Sequence, residues 1–456
     1  MDNPASGHHW RLRWPGFLET AETPLRKLLE GLDDSQYWTA DALLLGQQLQ
    51  VTETLCWAVE NSPYYATLRA PAHELAKLAG DPDAFWCAWR RLPILTKQAL
   101  RAHGNEINAR THAPGHRPAG KNVTSGSTGT PVEVHTTRLT QLIWNSLTVR
   151  EHLWQHRNFS KRLGVIRFLP NAGRDPRGYR AQSWGSPVDK LYPSGPASAI
   201  HIGLSTDALA DWLIEFDPHY LLTSPSIAAA LMDILDTRPP SLEEIRCMFE
   251  PVDPDLERRL ADEWQVRCAD TYSANEVGYI AFRCPEARNL HLQAEGVVVE
   301  ILDESGAPCA VGESGRVVVT SLHNLATPLL RYDLGDYATV GAKCSCGRGS
   351  SVIERVLGRV RNLARSPEGK RFWPVSLSRI RHVKSIRQAQ YVQTALDAIE
   401  LRIVLNRPLQ IEEHDEVVKS VQSALGYPYL VTVVPVAALE RGPTGKFEEF
   451  LSLIDP

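Results

Sequence analysis

The spacing of apolar residues changes along the chain, and helical spacing dominates its first hundred residues. The stretch Asp41–Val59 is an example of a predicted helix. Its apolar residues include Leu43, Leu44, Leu49, Val51 and Leu55. The N-terminal part is therefore expected to be mainly helical.

Between about residues 140 and 275, short apolar runs alternate with helical patterns. Arg162–Leu169 and Pro218–Leu222 have the composition of strands. Ser224-Pro225 supplies an N-cap and a first-turn proline for a predicted helix over Ile227–Leu235. Alternation of this kind predicts a mixed or parallel sheet covered by helices.

From Gly296 the pattern changes to paired β-runs. Val297–Leu302 and Arg316–Thr320 are both rich in β-branched residues. They flank a segment, Asp303–Gly315, that contains several glycines and a proline. This arrangement predicts a hairpin with a long loop and a β-rich part of the protein.

The last hundred residues have a β-α-β pattern of their own. Ile399–Leu405 and Leu430–Val436 are predicted strands, and Glu412–Leu425 is a predicted helix that ends at a glycine. We therefore expect an α/β protein whose large N-terminal domain, residues 1–358, combines mixed or parallel sheets, helices and a β-rich part. A small, mobile α+β domain is expected over residues 359–456.

Composition narrows the classes of partner. The chain has 456 residues, of which 49 are basic and 53 acidic, so its formal net charge is −4. That balance gives no electrostatic basis for a nucleic-acid or anionic-membrane partner. The eight cysteines are too few for a disulfide scaffold in a chain of this length, and no secretory signal is evident, so we expect a cytoplasmic protein.

Seven consecutive small residues occupy one loop after Val123. Small residues let backbone N–H groups approach a ligand closely, and hydroxyls add donors without bulk. Phosphate is the ligand that most often requires both features, although similar runs also occur as plain linkers. The residues are Thr124, Ser125, Gly126, Ser127, Thr128, Gly129 and Thr130.

Three later segments add candidate nucleotide contacts. Asp270–Glu276 (DTYSANE) combines an aromatic ring, small residues and a carboxylate, which suit a nucleotide ring, a tight turn and a metal ion. In Leu330–Asp336 (LRYDLGD), Asp336 follows a glycine and could accept two ribose hydroxyls. Arg441–Lys446 (RGPTGK) presents one lysine on a Gly/Pro-rich loop.

In this order, the four motifs resemble those of the acyl-adenylate-forming superfamily, which includes acyl-CoA synthetases, adenylation domains of peptide synthetases and luciferases. The chain is more narrowly similar to the phenylacetate–CoA ligase family through SPYY at Ser62–Tyr65, LPILTK at Leu92–Lys97 and CSCGR at Cys344–Arg348. The resemblance implies ATP- and Mg²⁺-dependent conversion of a carboxylic acid to an acyl-AMP. Transfer of the acyl group to CoA or another thiol would follow.

The resemblance also implies roles for individual residues. The small-residue loop would close over the ATP phosphates, and Lys446 would act at the α-phosphate during adenylation. Between the two steps the small domain would turn on a hinge at Arg359–Arg361. The remaining implied roles are adenine contact for Tyr272, phosphate contact for Asn275, Mg²⁺ ligation for Glu276, ribose contact for Asp336 and ribose or phosphate contact for Arg359.

Departures from the family pattern leave the acceptor open. An acidic residue expected in the hinge is Arg361, and a glutamate expected near the end of the loop Ser366–Pro374 is Ser378. The family uses this loop in the second half-reaction. An amine, giving an amide-forming ligase, and a carrier protein in a biosynthetic cluster therefore stand beside CoA as candidate acceptors. A non-catalytic ligand-binding module is a further alternative, against which Glu276, Asp336 and Lys446 together argue.

The acid is expected to be aryl or arylacetic, because the family precedent and several candidate pocket walls are aromatic. Each of these residues could equally be an ordinary core residue, and His201 and Asp253 leave room for a polar substituent. The candidate walls are Trp144, Leu147, Trp184, Phe249, Pro251 and Tyr272.

One group of residues has the composition of a structural zinc site. Cys284 and His291 follow the Glu276 motif, and Cys344 and Cys346 precede the expected hinge. Three thiolates and one imidazole would fill a tetrahedral zinc site and leave no position for water or substrate. The alternative is that these are incidental reduced thiols near a histidine.

Overall fold

The computed structural model of the chain describes residues 23–113, 116–123, 132–169, 173–359, 362–369, 371–372, 374, 380, 382–442 and 446–454. Its α-helices are α1 (Pro24–Ser35), α2 (Ala40–Asn61), α3 (Arg69–Lys77), α4 (Pro82–Trp89), α5 (Lys97–Ile107), α6 (Arg138–Trp154), α7 (Thr206–Phe216), α8 (Pro225–Ile234), α9 (Pro254–Asp262) and α10 (Ile411–Leu425).

The strands before the C-terminal segment are β1 (Pro118–Val123), β2 (Glu133–Thr137), β3 (Leu163–Arg167), β4 (Tyr179–Ala181), β5 (Ala197–His201), β6 (Tyr220–Thr223), β7 (Glu244–Cys247), β8 (Arg267–Ala274), β9 (Gly278–Arg283), β10 (Leu290–Leu292), β11 (Val297–Leu302), β12 (Ser314–Ser321), β13 (Tyr332–Val340) and β14 (Val352–Arg359). The C-terminal strands are β15 (Ala364–Arg365), β16 (Arg371–Phe372), β17 (Ile386–Ala395), β18 (Ala398–Leu405), β19 (Leu430–Pro435) and β20 (Phe450–Ser452). The chain is thus the mixed α/β protein that the sequence predicts.

The chain forms two compact units. The first contains the described residues up to Arg157 together with Ser186–Tyr192 and Thr271–Arg355. Its main strands follow the order β11-β12-β13-β14-β10-β9-β8, and β1 pairs with β2 in a separate hairpin. Helices α1 and α6 pack on β9 through Leu28, Ile143 and Phe282, which are buried.

The second unit contains Asn158–Gly185, Pro193–Asp270 and the residues from Val356 onward. Strands β8, β7, β6, β3 and β5 pair in parallel, and β4 adds an antiparallel edge. Helices α7, α8 and α9 cover this sheet with side chains such as Trp212, Leu231 and Leu260. The alternating strand and helix patterns of the sequence therefore correspond to a real parallel sheet.

The C-terminal segment has its own sheet, in the order β19-β18-β17-β20. Helix α10 covers it with Val417, Val421 and Leu425, which are all buried. Gly426 has a φ of 65°, so the predicted glycine stop is confirmed as a left-handed C-cap. The division into domains 1–358 and 359–456 stays a prediction.

Other local predictions are confirmed to within a few residues. Strand β11 has the predicted bounds, and the Ser224 hydroxyl accepts a hydrogen bond from the Ile227 N–H at the start of α8. The predicted strand Arg162–Leu169 is shorter than expected, because pairing is confined to Leu163–Arg167. In the described part of the chain, every helix is too short or too polar to cross a bilayer.

The Glu413 carboxyl, in the first turn of α10, should make the stability of the fold depend on pH. The Arg407 guanidinium, helped by the Gln410 N–H and the Ser385 hydroxyl, lowers the pKa of Glu413 to about 2 from 4.5. Because folding depresses this pKa, the stabilisation is present above pH 4.5 and is lost as the pH falls toward 2.

The substitution Glu413→Gln should therefore lower the melting temperature at pH 6, and the difference from the wild type should shrink toward pH 3. Thermal unfolding followed by circular dichroism at several pH values measures this. Glu412→Gln, at an exposed neighbouring position, serves as the control. A Glu413→Gln deficit that stays constant with pH would contradict the assignment.

Candidate functional site

The DTYSANE segment ends in a tight turn that buries a carboxylate. Strands β8 and β9 pair up to Ala274 and Gly278, so Glu276 lies in the connection between them. Glu276 is only 6% exposed. Its Oε1 accepts a hydrogen bond from the Tyr332 hydroxyl at 3.3 Å, and the Lys97 ammonium lies 3.8 Å from the same oxygen. A buried carboxylate needs such partners, because desolvation penalises its charge.

A single β-bridge between two distant parts of the chain places the partners of Glu276. Leu95 bridges to Tyr332, with its N–H donating to the Arg331 carbonyl at 3.0 Å. Thr96 then caps α5, which places Lys97 at the first helical position. Burial, reinforced by the Glu276 charge, raises the pKa of Tyr332. The phenol therefore stays protonated and can donate to the carboxylate.

Tyr272 and Asp336 are also brought together. The Tyr272 hydroxyl donates to Asp336 Oδ2 at 2.9 Å, across strands β8 and β13. Gly335, immediately before Asp336, has a φ of 75°, which favours glycine. Tyr272 is the predicted adenine contact and Asp336 is the predicted ribose contact. The two side chains are thus joined by a direct hydrogen bond.

Strand β1, which precedes the small-residue segment, ends beside the Glu276 turn. The residues Thr124–Thr130 lie outside the described residues, but the strands on either side of them pair as Val123 with Glu133. The Asn122 side chain donates to the backbone carbonyl of Asn275 at 3.0 Å. The entry to the loop is therefore held against the residue that precedes Glu276.

Trp144 lies against the same turn. The residue is half-buried on α6. A Cβ atom placed on Gly278 would overlap Trp144 Nε1, and Gly278 has a φ of 82°. The Trp144 ring therefore packs directly on the backbone that follows Glu276, a contact that requires glycine.

Trp184 and Phe249 belong to the second unit and lie at opposite ends of its strands. Trp184 Nε1 donates to the Lys161 carbonyl at 2.8 Å, and its ring packs edge-on against Tyr220, the first residue of β6. Phe249 follows the carboxyl end of β7, is 39% exposed and has a φ of 80°. The structure does not bring these two predicted pocket residues together.

Lys446 and Arg359 also lie in the second unit. The N–H of Phe447, the residue after Lys446, donates to Glu250 Oε1 at 2.8 Å. Arg359 ends β14, and its N–H donates to the Asn362 side chain at 3.1 Å. The predicted hinge residues Val360 and Arg361, and also Ser378, lie outside the described residues.

The sequence does not predict the contacts of Lys97, Tyr332 and Glu250. LPILTK indicates only the family resemblance, and no spacing connects Lys97 to Glu276. The position of Glu250 just after the parallel strand β7 could have indicated a site residue. Ligands of such sheets bind at the carboxyl ends of the strands.

The four predicted metal ligands converge. One ligand atom from each of Cys284, His291, Cys344 and Cys346 lies within 4.8 Å of all the others. The Cys284 and Cys344 sulfurs are 3.8 Å apart, and Cys346 Sγ lies 3.2 Å from His291 Nε2. Two thiolates on a tetrahedral zinc ion, each bonded at about 2.3 Å, would be about 3.8 Å apart.

The surroundings of this cluster also fit a metal. Burial lowers the pKa of His291 to about 4, so the ring is neutral at pH 7 and can act as a ligand. His291 Nδ1 lies 3.2 Å from the Ser350 hydroxyl, a contact that orients the ring. All eight cysteines, each within the described part of the chain, are free of disulfides.

The Trp144 contact can be tested through Gly278→Ala. A left-handed backbone costs a non-glycine residue about 1–2 kcal/mol, and here the new methyl group would also displace Trp144. Gly306→Ala is the matched control, since Gly306 has a φ of 85° and open space around its Cβ position. Denaturant unfolding should show a larger loss of stability for Gly278→Ala. Equal losses would contradict the packing of Trp144 on this turn.

The chain is similar to known proteins in sequence and in fold. No family model matches the chain. In sequence it is 24% identical over 460 residues to the phenylacetate–coenzyme A ligase of Thermus thermophilus, with 89% of this chain and 96% of that protein covered.

Two solved structures show the same fold. A 2-hydroxyisobutyryl-CoA ligase in the postadenylation state, in complex with R3-HIB-AMP, superposes with a TM-score of 0.70 at 17% identity, covering 92% of this chain and 91% of that one. The anthranilate CoA ligase AuaEII in complex with anthranoyl-AMP gives 0.54 at 16% identity, covering 72% and 64%. The chain thus has the fold of the acyl-adenylate-forming CoA ligases and is related in sequence to a phenylacetate–CoA ligase, which confirms the predicted resemblance to that superfamily and, within it, to that family.

Proposed function

We propose that the protein is an AMP-forming acid–CoA ligase. A carboxylate oxygen of the acid attacks the α-phosphorus of ATP, the bond to the β-phosphate breaks, and pyrophosphate leaves. The CoA thiolate then attacks the acyl carbon, and AMP leaves with that oxygen. The observation that carries the proposal is the buried Glu276 carboxylate, contacted by Tyr332 and Lys97, in the same unit as the Tyr272–Asp336 pair.

Charge explains the proposed roles of these residues. The first step brings two anions together, so positive charge must offset them in the transition state. Glu276 would hold Mg²⁺, which supplies part of that charge, and Lys97 is a cation already beside the same carboxylate. The loop at residues 124–130 and Asn275 would contact the phosphates.

The nucleoside would be held by the remaining residues. Tyr272 would lie against the adenine, and Asp336 would accept the ribose hydroxyls. Their mutual hydrogen bond supports this, since it orients both side chains before any ligand arrives. Arg359 is proposed as a further ribose or phosphate contact.

We propose an aryl or arylacetic acid as substrate. The support is the sequence relative, a phenylacetate ligase, and the presence of Trp144 and Tyr272 beside the Glu276 turn. Trp184 is not needed for this proposal, because its ring packs at the amino ends of the parallel strands. CoA is the proposed acceptor of the acyl group. Amines and carrier proteins are the alternative acceptors.

The reaction is tested by carboxylate-dependent exchange of labelled pyrophosphate into ATP, with a panel that starts from phenylacetate. Lys446→Ala should slow exchange by a factor of about 10²–10³, which is typical of removing one group that stabilises transition-state charge. Lys419→Ala, an exposed lysine on α10, should leave exchange unchanged.

The acceptor is read from the products when CoA, an amine or a carrier protein is added to the same reaction. No exchange with any aryl, alkyl or amino acid would overturn the proposed function. Exchange in the Lys446→Ala variant at the wild-type rate would overturn the role of Lys446.

We also propose that Cys284, His291, Cys344 and Cys346 hold a structural zinc ion. The support is the convergence of the four ligand atoms and the neutral imidazole. The ion would connect the strands after Glu276 to the segment before β14, and its binding free energy would add to folding.

Metal analysis of protein purified without chelators should find about one zinc ion per chain, as four ligands imply. Cys346→Ser should lower zinc content and melting temperature while the folded fraction keeps pyrophosphate exchange. Cys87→Ser, at an exposed free cysteine, is the control. Well-folded active protein without zinc would contradict the site.

A further inference from the structure

Glu250 lies where the second unit's parallel strands end. It follows β7 and the left-handed Phe249, and its side chain is 8% exposed. Oε2 accepts the backbone N–H of Ser226 at 3.0 Å, in the first turn of α8. The helix N-terminus therefore stabilises the charge of this carboxylate.

The other carboxylate oxygen faces the C-terminal segment. Oε1 accepts the Phe447 N–H at 2.8 Å, and the Arg441 guanidinium lies 3.6 Å from it. Arg441 also donates to the Ser226 hydroxyl at 2.9 Å and stacks over the Phe447 ring at 5.4 Å. One carboxylate thus contacts the chain on both sides of Lys446.

The burial of the Glu250–Arg441 ion pair determines how much its loss should cost. Arg441 and Glu250 are 19% and 8% exposed, so removing one partner leaves the other charge poorly solvated. A second contact of the same segment, Arg387 with Asp207, is 30% and 69% exposed. Exposed pairs of that kind contribute little.

We propose that Glu250 is a positioning residue for adenylation, which holds the segment carrying Lys446 against the carboxyl ends of the parallel strands. The inference rests on the proposed function. It adds that the contacts of Glu250 with Arg441 and Phe447 serve the first half-reaction, the step in which Lys446 is proposed to act. Loss of Glu250 should therefore slow the first half-reaction and spare the second.

The two half-reactions can be measured separately. Pyrophosphate exchange with phenylacetate, or with the panel acid that exchanges fastest, reports adenylation. Conversion of the corresponding synthetic acyl-AMP and CoA to the thioester reports transfer. Glu250→Gln should slow exchange about tenfold or more, the size of a lost charge-assisted hydrogen bond, with transfer at the wild-type rate or above it.

Further variants keep the test decisive. Arg441→Gln should give the same selective loss, and the double variant should lose little more than either single one. Asp207→Asn should stay within about twofold of the wild type in both assays. The double variant removes both charges, so it covers the case in which a single variant is poorly folded.

The outcomes separate this inference from the proposed function. Equal losses in both half-reactions, or unchanged exchange, would overturn the role of Glu250 while exchange by the wild type upholds the ligase. Failure of the wild type to exchange with any acid would overturn the proposed function, and the positioning role with it.

Discussion

The site depends on giving one buried carboxylate its polar partners. Glu276 is nearly inaccessible to solvent, and in the described structure Tyr332 and Lys97 lie at one of its oxygens. Satisfying that carboxylate ties the turn after β8 to β13 and to the start of α5. The Leu95 bridge and the Thr96 cap both fit this requirement, because they place Tyr332 and Lys97 beside Glu276.

A second acid shows the same principle in the other unit. Glu250 also follows a strand and also lies near a cation, but its hydrogen-bond donors are backbone N–H groups and not a phenol. Glu276 and Glu250 differ in the part of the chain that supplies the neighbouring cation. Lys97 belongs to a helix that packs beside its acid, whereas Arg441 belongs to the segment that carries Lys446. The two proposed roles follow this difference, with a fixed metal site at Glu276 and a contact that serves adenylation at Glu250.

Local features of this fold could be predicted from the sequence because they depend on neighbouring residues. Strand β11, the Ser224 cap and the Gly426 stop are determined by periodicity and by backbone preference. Cys284, His291, Cys344 and Cys346 could be grouped because thiolates and imidazoles have few other reasons to recur in this pattern.

The long-range contacts could not be predicted in the same way. Lys97 meets Glu276 only because Leu95 pairs with Tyr332, and no local pattern encodes that pairing. The aromatic ring of Trp184 suits a pocket wall, but ring chemistry does not reveal which end of a parallel sheet a residue occupies. Phe249 and Glu250 share one edge because β7 ends there, which requires the strand order to be known.

The central claim is that the carboxylate of the acid attacks the α-phosphorus of ATP. Phenylacetate, or the acid that the enzyme prefers, can be labelled with ¹⁸O in its carboxylate and converted to the thioester in the presence of ATP and CoA. Mass spectrometry of the products should find one ¹⁸O atom in AMP and none in pyrophosphate. Unlabelled AMP, or ADP with labelled phosphate, would contradict the account.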